Sequence, residues 1–391
     1  MNAWAQFYTP QPAGHLLVNA MLSDSVQTVV DIGVGCGQLL RAAQARWQDA
    51  RLFAADIDLQ HVVAARTRFP QAVCRHLDAL HVHLPTSLGL EEDQADVAVC
   101  NPPYLPAGDL PGVRDILRTV DLHDCISVKR ITTDIVFIAQ NLRLLRPGGE
   151  LAVVVPDGLA TNSGYADLRQ ALCERHGLYR VIQLPDRFFA RTEARTHIFY
   201  LRKNMGPTGG IRLMGAVPNG ELTEEMVVSA ELARMRLDYS FHSALEERGT
   251  SIITLRELGA EITRGVHTHK DCVANSLSYF HTTDFKRFPN GLAIYPAAPA
   301  LPERWIAKKG DILLPRVGAR CLQHAAKVHT GNPVLTDCVY RIRVEPSWRK
   351  AVWKALSSVE GIHWRQHAAH GVCARVLGKE MLLDFPVPNF N

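Results

Sequence analysis

Thr28-Val29-Val30-Asp31-Ile32-Gly33-Val34-Gly35-Cys36-Gly37 decides the fold. An apolar run that closes on an acid and breaks at once into glycines reads as a buried strand followed by a tight turn, and Gln38 to Trp47 then carries a helical pattern. Gly33, Gly35 and Gly37 let the backbone approach a ligand closely. The stretch lacks the Gly-Lys-Ser/Thr ending of a nucleotide P-loop, and its spacing departs from the Gly-x-Gly-x-x-Gly dinucleotide pattern. Strand, glycine turn and helix still open an α/β sheet, whose ligands bind beyond the carboxyl ends of the strands.

Reading outward, the next apolar strand, Arg51-Leu52-Phe53-Ala54-Ala55-Asp56, also ends on an acid. It lies about twenty residues on, where such folds read a ribose diol, so Asp56 is the expected ribose ligand. Asp78 closes the third run, Ala72 to Leu77, and is placed to meet an adenine amino group. One acid could be a helix cap, but three at successive strand ends form a set. The fourth run, Ala95 to Cys100, leads into Asn101-Pro102-Pro103-Tyr104. Its prolines fix the backbone and remove two amide donors, leaving carbonyl oxygens and the Asn101 carboxamide as acceptors. Asn101 Oδ1 and the Pro102 carbonyl suit the two hydrogens of a flat amino group, and Tyr104 offers a stacking face. Alone, the tetrapeptide reads equally well as an ordinary proline-rich turn; beside the three acids it reads as a site.

Together these residues resemble the S-adenosylmethionine-dependent amino-methyltransferases of DNA. Gln6-Phe7-Tyr8-Thr9-Pro10 is similar to the segment that, in the adenine-N6 branch called the gamma class, precedes the glycine motif and closes over the methionine end of the cofactor. The order of cofactor motifs, Asn-Pro-Pro-Tyr and a final recognition region is that of the class. Leu144 to Pro156 matches the family's helix, Pro-Gly-Gly turn and fifth strand, so the resemblance covers about Ala5 to Lys203. It implies that Thr9, Asp31, Gly33, Gly35, Asp56 and Asp78 bind S-adenosylmethionine. Thr9 is assigned the methionine carboxylate, with a Thr-Pro helix start as the other reading; Asp31 either meets the methionine amino group through water or caps the glycine loop.

The chain has 391 residues, 47% hydrophobic and 21% charged, enough for two domains with separate cores. No apolar run reaches membrane-spanning length and Met1 to Gln11 does not read as a signal peptide, so a cytoplasmic protein is expected. Nine cysteines without a Cys-x-x-Cys pair argue against a disulfide framework or a zinc site, and no metal is expected. Residues 1–204 carry net charge −1 and residues 205–391 carry +5, with the breakers Asn204 to Gly210 as the expected boundary. Arg264, His267, His269, Lys270, Lys286, Arg287, Lys308, Lys309, Arg316, Arg320 and Lys327 fall in turn-rich segments from which side chains reach a phosphate backbone.

A second resemblance lies in this half. Arg236 to Phe241, Leu255 to Leu258, Ile262 to Gly265, Gly310 to Gly318 and the closing Gly371 to Pro388 look like one target-recognition domain of type I specificity subunits. The chain ends soon after Pro388, without the long helix and second recognition domain of a full subunit, so two-half-site recognition within one chain is not expected. The fold class expected is α/β: a Rossmann-like methyltransferase domain with a mostly parallel sheet over 1–204, then an α+β target-recognition domain over 205–391.

The two resemblances imply a mechanism. An adenine N6 inside a duplex cannot reach a buried sulfonium methyl, so the nucleotide is flipped out of the stack. Asn101 and the Pro102 carbonyl then hold the amino group, Tyr104 stacks on the base, and in-line attack follows from positioning without metal or general base. Pro103 and either Phe199 or Leu201 complete the pocket, with core packing as the competing reading of Phe199; Arg316 and Arg320 contact the DNA. The partners implied are double-stranded DNA and, where one exists, a separate restriction endonuclease; no membrane is involved, and the oligomeric state and target sequence are open. The rivals are transfer to cytosine N4, where that branch usually has Ser in place of Asn101, to RNA or to a protein glutamine amide, and a non-catalytic DNA specificity protein. Glutamine enzymes carry a substrate domain ahead of the glycine motif, where only a few residues stand here.

Overall fold

The computed structural model describes residues 9–186, 188–189, 195–206, 209–217, 220–246, 252–288, 290–297, 301–318, 320–369 and 375–388. They pack as two units, 1–239 and 240–391.

Among the described residues the apolar runs of the first unit form nine strands: β1 (Thr28–Asp31), β2 (Arg51–Asp56), β3 (Val73–His76), β4 (Ala95–Cys100), β5 (Leu145–Pro156), β6 (Arg180–Gln183), β7 (Thr196–Arg202), β8 (Ile211–Gly215) and β9 (Met226–Val228). They make one sheet in the order β3-β2-β1-β4-β5-β7-β6-β8-β9. The first five positions are parallel, while β7 inserts antiparallel between β5 and β6. Chain order reverses between β1 and β4, so a topological switch point opens beside the ends that carry Asp31 and Asn101.

Helices cover both faces: α1 (Gln11–Asn19), α2 (Gln38–Arg46), α3 (Leu59–Arg68), α4 (Leu84–Leu88), α5 (Val113–Arg118), α6 (Thr133–Leu144), α7 (Asp157–Thr161), α8 (Ala166–His176) and α9 (Ala230–Met235). Alternate strand residues face opposite layers. Val30, Phe53, Ala98 and Val153 pack with Ile135, Ile138 and Leu142 of α6, whereas Val29, Leu52, Val97 and Val154 pack with Leu17, Leu39 and Leu40. Every residue of α6 is buried. Its polar members act as struts, Gln140 Nε2 donating to the carbonyls of Ala79 at 2.8 Å and His81 at 2.9 Å, and so fixing the loop after β3.

The boundary expected near Asn204 falls inside this unit. Of those breakers Pro207 and Thr208 lie outside the described residues; beyond them β8 pairs with β6, and β9 pairs with β8. Arg169 of α8, fully buried, donates to the carbonyls of Ala233, Arg234 and Met235 and ties α9 to the same body. With the division at Tyr239 the charge split widens: residues 1–239 carry 23 Lys and Arg against 26 Asp and Glu, and residues 240–391 carry 20 against 13, net −3 and +7.

The second unit is α+β. Its strands are β10 (Ile252–Thr254), β11 (Glu261–Arg264), β12 (Tyr279–Phe280), β13 (Leu292–Ile294), β14 (Ile312–Pro315), β15 (Ala326–Thr330), β16 (Val334–Leu335), β17 (Val339–Arg343) and β18 (Pro386–Pro388). A five-stranded sheet runs β11-β17-β14-β15-β13, so Gly310 to Gly318 supplies its central strand. Around it lie α10 (Tyr239–Glu246), α11 (His269–Ala274), α12 (Arg349–Ser357), α13 (Val359–Ala368) and α14 (Lys379–Leu383). The larger core of this unit joins Phe241, Leu255, Leu314, Ile342, Trp364 and Phe385. Among the described residues no helix is long and apolar enough to cross a membrane, no group of His, Cys, Asp and Glu could hold a metal ion, and the eight cysteines are free thiols.

Candidate active site

The carboxyl ends of β3, β2, β1 and β4 deliver Asp78, Asp56, Asp31 and Asn101 to one cavity of about 330 Å3. Thr9, Gly33, Gly35, Pro102 and Pro103 line it too, so nearly all the cofactor and acceptor residues read from the sequence come together.

Asp31 is almost fully buried. Its Oδ1 accepts the Gly33 amide at 3.1 Å, while Oδ2 has no hydrogen-bond partner among the described residues. Burial pushes its carboxyl up to about 7, the Gly33 amide pulling it down and the Asp56 charge raising it further. Capping of the glycine loop is therefore present, and a second oxygen remains that suits a cationic group. The loop itself needs glycine where the backbone turns left-handed, at Gly35 with φ +49° and Gly37 with φ +76°. At Gly33 the reason is space, since a Cβ there would lie 3.1 Å from the Phe137 ring.

Asp56 closes over this loop. Its Oδ2 accepts the Gly35 amide at 2.8 Å and its Oδ1 the Asp58 amide at 2.8 Å, with His61 Nδ1 3.4 Å from Oδ2. An ionised carboxylate offers about four lone-pair positions, so capacity is left for hydroxyl donors. Asp78 is exposed and accepts the Leu80 amide at 2.9 Å through Oδ1.

On the acceptor side, Asn101 Nδ2 donates to Thr9 Oγ1 at 3.0 Å, which directs the carboxamide nitrogen to Thr9 and makes Oδ1 the accepting atom. Thr9 thus touches Asn101 as well as the cavity. Gln6, Phe7 and Tyr8 lie outside the described residues. Tyr104 is half-buried and stands outside the cavity wall; burial holds its phenol well above the usual range, aided by the charges of Asp134 and then Cys100.

Phe199 and Leu201 are corrected to core residues. Both are fully buried on β7, packed in the layer that also holds Val153 and Val181, and neither reaches the cavity. Arg316 and Arg320 belong to the second unit. Arg316 is half-buried with Nε donating to the Asp337 carbonyl at 2.8 Å, and Arg320 is exposed. Of the other bases, Lys327 lies within β15 and sits 5.7 Å from the Trp353 ring centre, Arg287 pairs with Asp284 at 3.0 Å, and Lys308 pairs with Glu303 at 2.8 Å.

Ile57, His61, Leu110, Thr133 and Phe137 also line the cavity, and the motif reading missed them. Thr132-Thr133-Asp134 ahead of an apolar run does signal a helix start, but it says nothing of which loop that start meets.

The residues fit S-adenosylmethionine: Asp31 offers an orphaned anionic oxygen to a cation, Asp56 offers acceptors to a diol, and Ile57, Leu80 and Pro103 supply apolar wall for a flat ring. Comparison with known proteins identifies the family. Residues 2–227 match the model of the N-6 DNA methylase family. Among curated relatives, the release factor glutamine methyltransferase of Cereibacter sphaeroides is 28% identical over 45% of this chain and 62% of its own length. The type I restriction enzyme EcoEI methylase subunit of Escherichia coli is 22% identical over 51% of this chain and 42% of its own. The chain therefore spans less than two thirds of the length of these relatives. Among solved structures, the type IIG restriction endonuclease BpuSI shares the fold with TM-score 0.54 and 14% identity, covering 100% of this chain and 59% of that one. With more than half of its residues matched by the family model, the chain belongs to the N-6 DNA methylase family.

Proposed function

We propose that the chain is a site-specific DNA methyltransferase that moves a methyl group from S-adenosylmethionine to the N6 amino group of a flipped-out adenine, as the modification component of a restriction-modification system or as an orphan methylase. The observation that carries this reading is the Asn101 carboxamide, oriented by Thr9, in the same cavity as Asp31, Asp56 and Asp78. Bound S-adenosylmethionine supplies an electrophilic methyl group. Asp31 holds the methionine amino group, Thr9 the carboxylate end, Asp56 the ribose and Asp78 the adenine of the cofactor, beside Gly33 and Gly35. Asn101 Oδ1 and the Pro102 carbonyl accept the two hydrogens of the target amino group, which aims the nitrogen lone pair at the methyl group, and Tyr104 stacks on the base.

In this reading the second unit, with net charge +7, recognises double-stranded DNA as a specificity-subunit-like domain, and the system acts in the cytoplasm beside a separate restriction endonuclease where one exists. The likeness to a glutamine methyltransferase favours one second reading, transfer to a protein glutamine amide. Incubating the chain with tritiated S-adenosylmethionine and unmethylated genomic DNA, then digesting to nucleosides, tests the first: label should run with N6-methyladenine. Label on a release-factor glutamine, with none on DNA, would overturn it.

A further inference from the structure

The peptide groups on the two sides of Tyr104 meet at one hydroxyl. Thr133 Oγ1 donates to the Pro103 carbonyl and accepts the Leu105 amide at 3.0 Å, so the backbone before and after Tyr104 closes on a single atom. The Thr133 amide then donates to the Leu105 carbonyl at 2.8 Å, and the Ala107 amide donates to the Ile131 carbonyl at 2.9 Å. Thr133 is buried at the first position of α6 and lines the cavity. The same helix packs Phe137 under Gly33 and bonds Gln140 to the loop after Asp78. One rigid helix thus touches the glycine loop, the Asp78 loop and the Asn101 to Tyr104 loop.

We propose that Thr133 is a positioning residue for methyl transfer: its hydroxyl sets the backbone of Tyr104, and with it the height of the acceptor loop above the cofactor side of the cavity. The inference rests on the reading of Asn101 to Tyr104 as the acceptor side. Geometry carries it, because no other side chain bonds both neighbours of Tyr104 among the described residues. A buried hydroxyl with a carbonyl and an amide already attached is committed to the loop, so cofactor affinity should be independent of it. Misplacement of a reacting group by about 1 Å costs on the order of a hundredfold in rate, which makes such a clamp measurable.

The test compares Thr133→Val, which keeps size and removes both bonds, with Thr133→Ser, which keeps the hydroxyl. Expected for Thr133→Val are a loss of kcat of at least about tenfold on unmethylated genomic DNA, S-adenosylmethionine affinity within about threefold, and hydrogen exchange at the Leu105 amide at least about tenfold faster; Thr133→Ser restores both rate and protection. Where Thr133→Val fails to fold, Thr133→Ala is read in its place. Wild-type kcat without the hydroxyl, a parallel loss of cofactor affinity, or a serine variant as impaired as valine would each overturn the proposal. The exchange measurement separates the two ideas: if the wild-type chain transfers nothing to DNA the proposed function fails, while unchanged Leu105 protection in Thr133→Val sinks the clamp whatever the substrate.

Discussion

Asn101 donates its carboxamide nitrogen to the Thr9 hydroxyl at 3.0 Å, a bond that joins two cavity-lining residues 92 positions apart. A carboxamide turned by half a rotation has the same shape and the opposite hydrogen-bonding sense, so the bond to Thr9 helps set whether an acceptor or a donor faces an incoming amino group. Thr9→Val should therefore lower kcat by about fivefold, the value of one net hydrogen bond of roughly 1 kcal/mol, while Thr9→Ser stays near wild type. Equal rates for Val and Ser would mean that Thr9 does not orient Asn101.

Asn101→Ala should keep S-adenosylmethionine affinity within a few-fold and lose methyl transfer by about a hundredfold or more, because it removes an acceptor aligned on the reacting nitrogen and leaves Asp31, Asp56 and Asp78 in place. Calorimetric titration and tritium transfer read the two halves separately. Wild-type turnover would remove Asn101 from the chemistry.

Asp31 gives a pH signature in two directions. Its carboxyl is raised from 3.8 to about 7 by burial, offset by the Gly33 amide and reinforced by Asp56. A carboxyl raised on folding contributes stability that is fully present below about pH 4 and is lost as pH rises through about 7. Asp31→Asn escapes that loss, so the cofactor-free variant should be more stable than wild type at pH 8, by on the order of 4 kcal/mol, with the difference vanishing near pH 4. The cofactor ammonium prefers the ionised acid, so wild-type affinity should fall as pH drops below about 7, whereas the variant binds weakly at every pH. Denaturant melts and titrations from pH 5 to 8 check both; a pH-independent wild-type affinity would count against an Asp31 contact.

What is legible in the sequence follows from uninterrupted apolar runs that end on polar residues. Arg51–Asp56 and Ala95–Cys100 are strands with the bounds their patterns suggest, and the four side chains at strand ends share a cavity because parallel strands all end on one edge. The breakers at Asn204 to Gly210 mislead, since turn residues mark a turn equally between domains and between two strands of one sheet. Phe199 and Leu201 are ambiguous for another reason: β7 is buried on both faces, so alternation shows two faces without showing which one meets a ligand. The bonds of Thr133 to the acceptor loop leave no mark in the sequence because its partners lie 30 and 28 residues away and are brought to it by the packing of α6.

Asp56 requires a more careful substitution than alanine, since its two oxygens also hold the Gly35 and Asp58 amides. Asp56→Asn keeps one acceptor for the loop and removes the charge from the expected ribose contacts. Charge-assisted bonds of this kind contribute roughly 1.5–3 kcal/mol, so cofactor affinity should fall by about ten- to a hundredfold while duplex affinity barely changes. An unchanged cofactor dissociation constant would leave Asp56 as a support for the glycine loop alone.

The second unit distributes its cations unevenly over the five-stranded sheet. Because β11 and β14 both run antiparallel to β17, their carboxyl ends share one edge, where Arg264 ends β11 and Arg316 and Arg320 follow β14. At the opposite edge Arg343 donates to Asp311 at 2.8 Å and to Glu303 at 2.9 Å, and Lys308 pairs with Glu303 at 2.8 Å. Charges already neutralised by carboxylates release few counterions from a phosphate backbone, so the first edge is the expected DNA contact. Replacing Arg316 and Arg320 together by alanine should weaken duplex binding and flatten the log–log salt dependence by about 0.9 for each phosphate that is no longer neutralised, while replacing Arg343 and Lys308 should lower thermal stability and leave the salt slope unchanged. If one of the first pair reads a base edge, preference for the matched duplex relaxes and the slope barely moves. Affinities at several salt concentrations on matched and scrambled duplexes decide among these outcomes, and equal slopes for both double variants would refute the assignment of the Arg316 edge to DNA.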